Sequence, residues 1–201
     1  MIKRGFDLLV SGAGLVVFSP IALLITIAIK LEDRGPVLFT QERVGRHGRV
    51  FLAYKFRSMI VDAEKHTGAV QATENDPRVT RVGRVLRATA FDELPQLLNI
   101  FKGDMSVVGP RPLRPGEADT TADGRHVPLS AIRGYEARHR VRPGLTGLAQ
   151  VYAARDLPRP GKFRYDLLYQ RRATFCLDLR LILLSFWITL RGRWEDRAPK
   201  V

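Results

Sequence analysis

The chain has 201 residues, enough for one domain with a hydrophobic core, and no internal repeat or low-complexity tract that would make it an array. Lys and Arg number 33 against 20 Asp and Glu, a formal charge of +13 that attracts phosphate in some form, be it nucleic acid, anionic lipid or nucleotide. The single cysteine, Cys176, excludes an intramolecular disulfide framework and any multi-cysteine zinc site, which fits a reducing setting.

From Leu8 to Ile29 no side chain is charged, a run of about 22 residues and long enough to cross a hydrocarbon core as a helix. A cleaved secretory signal has a shorter apolar region and a small-residue cleavage site. Here the run ends in Lys30-Leu31-Glu32-Asp33-Arg34, so the segment is expected to be retained. Basic residues flank both ends, Lys3 and Arg4 before, Lys30 and Arg34 after, so charge sets no orientation. Mid-run stands Ser19-Pro20, where proline removes the amide that would bond to the Val16 carbonyl and bends the helix. Two readings follow from the residues: a kinked spanning helix, or a re-entrant one whose ends return to the same face.

Gly35-Pro36 breaks the chain, and residues 37–41 and 50–56 have the β-branched and aromatic content of strands, with Gly45 and Gly48 as turn residues between them. They predict a hairpin that aims Lys55 and Arg57 toward a site. A polar connector follows, with a short helix near Val61 to Lys65 and a turn at Asn75-Asp76-Pro77, and Arg78 to Arg87 carries arginines at near-helical spacing. Asp92 to Gly103 reads as one helix with Leu94, Leu97, Leu98 and Phe101 as its apolar face and Gly103 as its stop. Pro95 is tolerated only in a first turn, which places Asp92 at or beside the N-cap. Residues 114–127 read as a solvated loop, 129–139 as a basic helix, 141–147 as a tight turn, 155–162 as a proline-rich connector and 163–171 as a short helix. The apolar segment 175–190, interrupted by Asp178 and Arg180, is short for a span. It fits either a buried core helix or one lying at a membrane interface, with Trp187 and Trp194 at headgroup depth and Arg191 and Arg193 toward anionic lipid. The fold class expected is α+β: mostly helical with a small β-hairpin, a membrane helix over 1–34, and a domain over 35–201 that ends in an interfacial helix.

Asp92 and Glu93 are adjacent carboxylates at a helix start, where partial positive charge favours an ionised group and attracts phosphate or a hydrated metal. The same pair also serves as an ordinary cap. Arg111 lies between Pro110 and Pro112 and so is offered from a stiff loop, its guanidinium suited to bidentate phosphate contact. Arg142, before Pro143-Gly144, repeats the device, and with Lys55, Arg57 and Arg87 these residues suit a cage for a polyanion. His47, His66, His126 and His139 lie in unrelated contexts and read as surface residues rather than ligands.

The string from Phe91-Asp92-Glu93-Leu94-Pro95-Gln96 through Gly103-Asp104-Met105-Ser106-Val107-Val108-Gly109-Pro110-Arg111-Pro112 resembles the bacterial sugar transferases, the monotopic polyprenyl-phosphate phosphoglycosyl transferases. Lys3-Arg4 with Phe6-Asp7-Leu8, Ser19-Pro20, Gly35-Pro36-Val37, Tyr54-Lys55-Phe56-Arg57-Ser58-Met59 and Arg142-Pro143-Gly144-Leu145-Thr146-Gly147 extend the resemblance over nearly the whole chain. It implies a minimal form without the extra spans and regulatory domain of longer members. It also implies that the broken segment re-enters on the cytoplasmic face of the bacterial inner membrane, and that Asp92 attacks the β-phosphate of a UDP-sugar, releasing UMP and holding the sugar phosphate. A polyprenyl phosphate, expected to be undecaprenyl phosphate, then takes the sugar phosphate, the first membrane step of exopolysaccharide, O-antigen or glycoprotein glycan assembly. Glu93 is implied to assist the acceptor step, magnesium to lie near Asp92, and Arg111 to bind phosphate, with Lys55, Arg87 and Arg142 in weaker supporting roles.

The expected partners are therefore the UDP-sugar, the polyprenyl phosphate and anionic membrane lipids, with a homodimer allowed and no nucleic acid. A carboxylate nucleophile divides one phosphoryl transfer into two, so two bulky substrates use one site in turn. Two rivals remain: a basic membrane-surface adaptor, which reduces Asp92 and Glu93 to caps and leaves two proline-framed arginines unexplained, and a metal-dependent hydrolase of nucleotide sugars. Residues 114–132 carry no matched motif.

Overall fold

The structure, a computed structural model, describes residues 2–63, 76–120, 125–154 and 156–194. The apolar N-terminal run forms two helices, α1 (Ile2–Val17) and α2 (Ser19–Asp33), bent 56° at the break. Pro20 sits in the first turn of α2, where its missing amide costs nothing, and Ser19 Oγ donates to the Val16 carbonyl at 2.7 Å, one of the acceptors freed by the break. Among the described residues no single helix is long and apolar enough to cross a membrane, although the bent pair together meets that length and composition.

The basic flank Lys3-Arg4 and the neighbouring Asp7 tie α1 to the protein. Lys3 Nζ donates to Asp178 at 2.5 Å and to the Tyr169 hydroxyl at 3.0 Å, and the Arg4 guanidinium donates to the Ile100 and Phe101 carbonyls at 2.6 and 2.8 Å. Asp7, fully buried, accepts from Ser106 Oγ and the Val107 amide at 2.9 and 3.0 Å.

The expected hairpin is present as β1 (Leu38–Val44) and β2 (Val50–Phe56), antiparallel with Leu38 opposite Phe56. Of the short helix near Val61 to Lys65, residues 61–63 form a turn, and the remainder lies outside the described residues, as do Asn75, His66 and Arg155. The arginine-spaced segment begins later than expected, as α3 (Arg81–Thr89). Thr80 is its N-cap, accepting from the Gly83 amide at 2.9 Å.

The segment 92–103 is not one helix. Phe91–Glu93 forms a 3-10 turn, the amides of Leu94, Leu97 and Leu98 bond three residues back, and α4 runs only over Gln96–Lys102 before Gly103 stops it at φ 99°. Pro95, lacking an N–H, is the N-cap of α4, which leaves Asp92 upstream of the helix rather than capping it.

Two further small sheets were absent from the sequence expectation. β3 (Ser106–Val108) pairs in parallel with β6 (Gly144–Thr146), and β4 (Ala118–Thr120) pairs antiparallel with β5 (His126–Pro128) inside the stretch read as a solvated loop. The basic helix expected over 129–139 is split. A 3-10 turn at Leu129–Ala131 and α5 (Tyr135–Arg138) are separated by Gly134 in the left-handed region, φ 98°. α6 (Leu148–Tyr152) follows, and α7 (Arg159–Arg172) starts four residues before the expected short helix, with Pro160 in its first turn.

α8 (Phe175–Leu190) buries one face in the core and leaves another exposed. Leu181 and Ile188 are fully buried with Ile100, Val108 and Val151, each such side chain contributing about 1.5–3 kcal/mol, while Leu183, Phe186 and Leu190 face outward. Trp187 is half-exposed under the Arg191 guanidinium, 4.2 Å from its ring, whereas the Trp194 indole donates to Thr189 Oγ1 at 2.8 Å and packs on the core. A second core joins α2 to β2 and α3 through Ile25, Ile29, Phe56 and Leu86.

Candidate active site

Two proline-framed loops meet at the β3–β6 pair. The Gly109 amide donates to the Thr146 carbonyl and the Gly144 amide to the Pro110 carbonyl, both at 2.9 Å. A Cβ on Gly109 would lie 2.5 Å from the Arg142 carbonyl oxygen and one on Gly144 only 2.0 Å from the Gly109 nitrogen, so backbone packs on backbone with no room for a side chain. Arg111 therefore projects from a doubly braced loop. Its carbonyl also accepts from Arg138 Nη2 at 2.7 Å, and Arg138, fully buried, is fixed by Asp166 at 2.9 Å.

Arg111 Nη2 reaches Glu93 Oε1 at 3.0 Å, and Lys55 Nζ reaches the same oxygen at 2.6 Å. β2 supplies Lys55, the 3-10 turn supplies Asp92 and Glu93, and the β3 loop supplies Arg111. Burial works to raise Glu93, but the Lys55 ammonium and the Arg111 guanidinium outweigh it and bring it down to about 2. Asp92 is buried and, among the described residues, forms no ion pair. Burial pushes it up to about 6, Lys55, Arg87 and Arg111 pulling it back and the Glu93 charge adding to the rise. The expectation that a helix N-terminus holds Asp92 ionised is therefore corrected: desolvation and four neighbouring charges set its state, and the more firmly ionised member of the pair is Glu93.

Of the cage residues, Lys55, Arg87 and Arg111 come together around the dyad. Arg57 lines the same cleft, but its guanidinium forms a fork on Asp33 and also donates to the Pro36 and Met59 carbonyls, clasping the end of α2 to β2. Arg142 points elsewhere, donating from Nε to the Gly103 carbonyl at 2.8 Å and so capping the end of α4. The structure thus gives Arg57 and Arg142 structural partners where the sequence reading offered both to phosphate. His139 is also corrected from surface to buried, its Nδ1 2.7 Å from the Tyr135 carbonyl, with burial and Arg138 bringing it down to about 4.

The dyad lies in a cleft of about 1240 Å³. One part is cationic, with Arg43, Arg114, Arg159 and Lys162, none of which the sequence singled out. The other is apolar, bordered by Val10 and Gly14 of α1, by Phe18 at the break between α1 and α2, and by Ile182, Phe186 and Leu190 of α8. The basic residues come from β1, the 114–117 turn and α7, too far apart in sequence for any spacing rule to group them.

Among the described residues no cluster of three His, Cys, Asp or Glu side chains could hold a metal alone. Magnesium needs less, since one or two carboxylates suffice when substrate phosphates and water complete its shell, and Asp92 fits that demand because Lys55 and Arg111 already occupy Glu93.

A buried carboxylate pair walled by Lys55, Arg87 and Arg111 at a wide, part cationic and part apolar cleft suits the binding of a phosphate group, and it lies beside a bent pair of apolar helices. The chain belongs to the bacterial sugar transferase family, whose model matches residues 1–192. It is 44% identical over 190 residues to the undecaprenyl-phosphate glucose phosphotransferase of Komagataeibacter xylinus, covering 91% of this chain and 35% of that protein. It is 45% identical over 188 residues to the UDP-glucose:undecaprenyl-phosphate glucose-1-phosphate transferase of Klebsiella pneumoniae, covering 91% and 39%. With the exopolysaccharide production protein PSS of Rhizobium leguminosarum bv. phaseoli it shares 42% over 187 residues, covering 90% and 92%. The chain thus spans well under half the length of the first two relatives and nearly all of the third.

Proposed function

We propose that this protein transfers a sugar phosphate from a UDP-sugar to a polyprenyl phosphate at the cytoplasmic face of the bacterial inner membrane, through a phosphosugar held covalently on Asp92. The observation that carries the reading is the unequal dyad. Glu93 is spent on Lys55 and Arg111, while the buried Asp92 beside it forms no ion pair among the described residues and is pushed up to about 6. A desolvated carboxylate in that state is a competent nucleophile.

An Asp92 carboxylate oxygen forms a bond to the donor's β-phosphorus, the bond from that phosphorus to the bridging oxygen breaks, and UMP leaves with the electron pair. An oxygen of the polyprenyl phosphate then attacks the same phosphorus, and the Asp92 carboxylate departs, leaving a polyprenyl diphosphosugar. Lys55, Arg87 and Arg111 offset the repulsion between an anionic nucleophile and an anionic diphosphate, and Arg111 is held to do so by its braced loop. Glu93 holds Lys55 and Arg111 in register and assists the acceptor step. Asp92 is the residue that would hold a magnesium ion, which would supply further neutralisation of charge on the transferring group.

The membrane reading rests on the 56° break and on the apolar side chains of α1, α2 and α8 that are exposed outside the cleft, among them Leu9, Val16, Leu24 and Leu183. A re-entrant helix pair leaves both basic ends and the cleft on one face, where anionic lipids meet the +13 charge.

Mass spectrometry of protein incubated with a UDP-sugar and magnesium, without acceptor, tests the covalent step. A sugar-phosphate mass is expected on the peptide containing Asp92 and is expected to vanish in Asp92→Asn. Sequential kinetics with no adduct, or an adduct that persists in Asp92→Asn, would refute it and favour direct attack by the lipid phosphate.

A further inference from the structure

The dyad uses only part of the positive charge in the cleft. Nine Lys and Arg side chains line it against five Asp and Glu. Several of these are spoken for: Lys55 and Arg111 by Glu93, Arg57 by Asp33, and Arg138 by Asp166. Arg43, Arg114, Arg159 and Lys162 line the cleft together with Arg111, and Arg43 and Lys162 both lie close enough to feel its charge.

Arg43, largely buried on β1, donates to neutral acceptors, the Pro112 carbonyl at 3.1 Å and Gln41 Oε1 at 2.5 Å. Its charge is bonded but not neutralised. Arg159 is paired with Glu117, whose other oxygen accepts from the Arg114 amide at 3.0 Å, and the Arg159 amide donates to Asp119 at 3.2 Å. Lys162, one turn along α7 from Arg159, completes the wall. The carboxylates facing this group are Glu117, Asp119, Glu93, Asp166, which is itself paired with Arg138, and the exposed Asp156. Like charges held together in a partly desolvated wall repel one another, and the repulsion is relieved when an anion enters. The direction of two titrations agrees. Burial, Arg111 and Arg114 bring Arg43 down to about 10, with Glu117 and Glu93 opposing, and burial, Arg159 and Arg111 also lower Lys162.

We propose that Arg43, Arg114, Arg159 and Lys162 form a second phosphate subsite beside Arg111, which binds a phosphate monoester group other than the one Asp92 attacks. The inference builds on the proposed transfer reaction, whose two half-reactions supply two such groups. One is the phosphate that leaves as UMP, and the other is the phosphate of the lipid acceptor. Glu117 keeps the subsite from excess charge when it is empty and holds Arg159 in place.

The test measures binding of UMP and of farnesyl phosphate, by calorimetry, to the full chain in detergent and to its Arg43→Gln and Lys162→Gln variants. Arg84→Gln, which removes an exposed charge on α3 outside the cleft, serves as the control. Loss of a charge-assisted contact is expected to weaken binding about tenfold in both cleft variants and less than about twofold in the control. Weakening confined to UMP assigns the subsite to the donor, weakening confined to farnesyl phosphate assigns it to the acceptor, and weakening of both assigns it to the two in turn. Unchanged binding of both ligands in both cleft variants, or equal weakening in Arg84→Gln, overturns the proposal. Arg43→Met, which keeps the stem and removes the charge, replaces Arg43→Gln if the latter melts early. Because binding is read without turnover, a protein that binds these monoesters but forms no Asp92 adduct retains the subsite and loses the transfer reading.

Discussion

Lys55→Met isolates what controls the nucleophile. Lys55 is the largest influence holding Asp92 down against burial, and it also bonds Glu93 at 2.6 Å. Methionine keeps the stem volume and removes the charge, while Arg111 remains on Glu93 and keeps that group ionised. An opposite charge within about 4–6 Å lowers a carboxyl by roughly 1–3 pH units. With Asp92 at about 6 when Lys55 is present, its loss carries Asp92 to about 7 or above by that measure. The sign follows: a higher value leaves less carboxylate at a given pH, so loading slows and recovers as pH rises. At pH 7 the ionised fraction falls from about nine-tenths to about one-half or less, at pH 6 from about one-half to about one-tenth or less, and by pH 9 the deficit has largely closed. The assay is initial UMP release at subsaturating UDP-sugar and constant magnesium from pH 5.5 to 9, which reports the free protein. A parallel loss at every pH, with the midpoint unmoved, would refute this reasoning and make Lys55 a ligand for substrate phosphate alone.

Arg111→Lys keeps the charge but loses the planar fork. Turnover is expected to fall about tenfold or more with the melting temperature unchanged, and full activity in a UMP-release assay counts against a phosphate role. Arg138→Met leaves Asp166 charged and buried without its partner, at a cost of about 3–5 kcal/mol read by denaturant unfolding, and Arg138→Met with Asp166→Leu is expected to recover most of that loss. Pro20→Ala restores an amide at the break between α1 and α2 and is expected to shift the pair toward a straight, spanning helix. An impermeant thiol reagent applied to intact cells that carry a cysteine at residue 2 reads the change. Labelling in the otherwise unsubstituted chain would sink the re-entrant reading.

What the sequence determined is whatever depends on neighbours along the chain. The uncharged run with Ser19-Pro20 in its middle required a broken helix, because proline cannot sit inside an unbroken hydrogen-bond ladder. Alternating β-branched and aromatic residues around Gly45 and Gly48 required the hairpin, and Gly103 required the end of α4. The dyad and Arg111 were legible for the same reason, since each belongs to a local motif with proline at a fixed offset.

Tertiary structure decided what depends on partners distant in sequence. Asp92 and Glu93 are chemically similar in a sequence, and their different ionisation arises only because Lys55, 38 residues away, and Arg111, 18 residues away, both settle on Glu93. Arg57 and Arg142 carry the same charge as Arg111, but Asp33 and the Gly103 carbonyl reach them first. The two short sheets escaped notice because three-residue strands have no period to read and are held by pairing across 20 or more residues in the case of Ser106 with Gly144. The cationic wall of Arg43, Arg114, Arg159 and Lys162 was invisible for a related reason. Long-range electrostatics depends on distance through space, and only the packing of α7 and the 114–117 turn against β1 brings those charges within reach of one another.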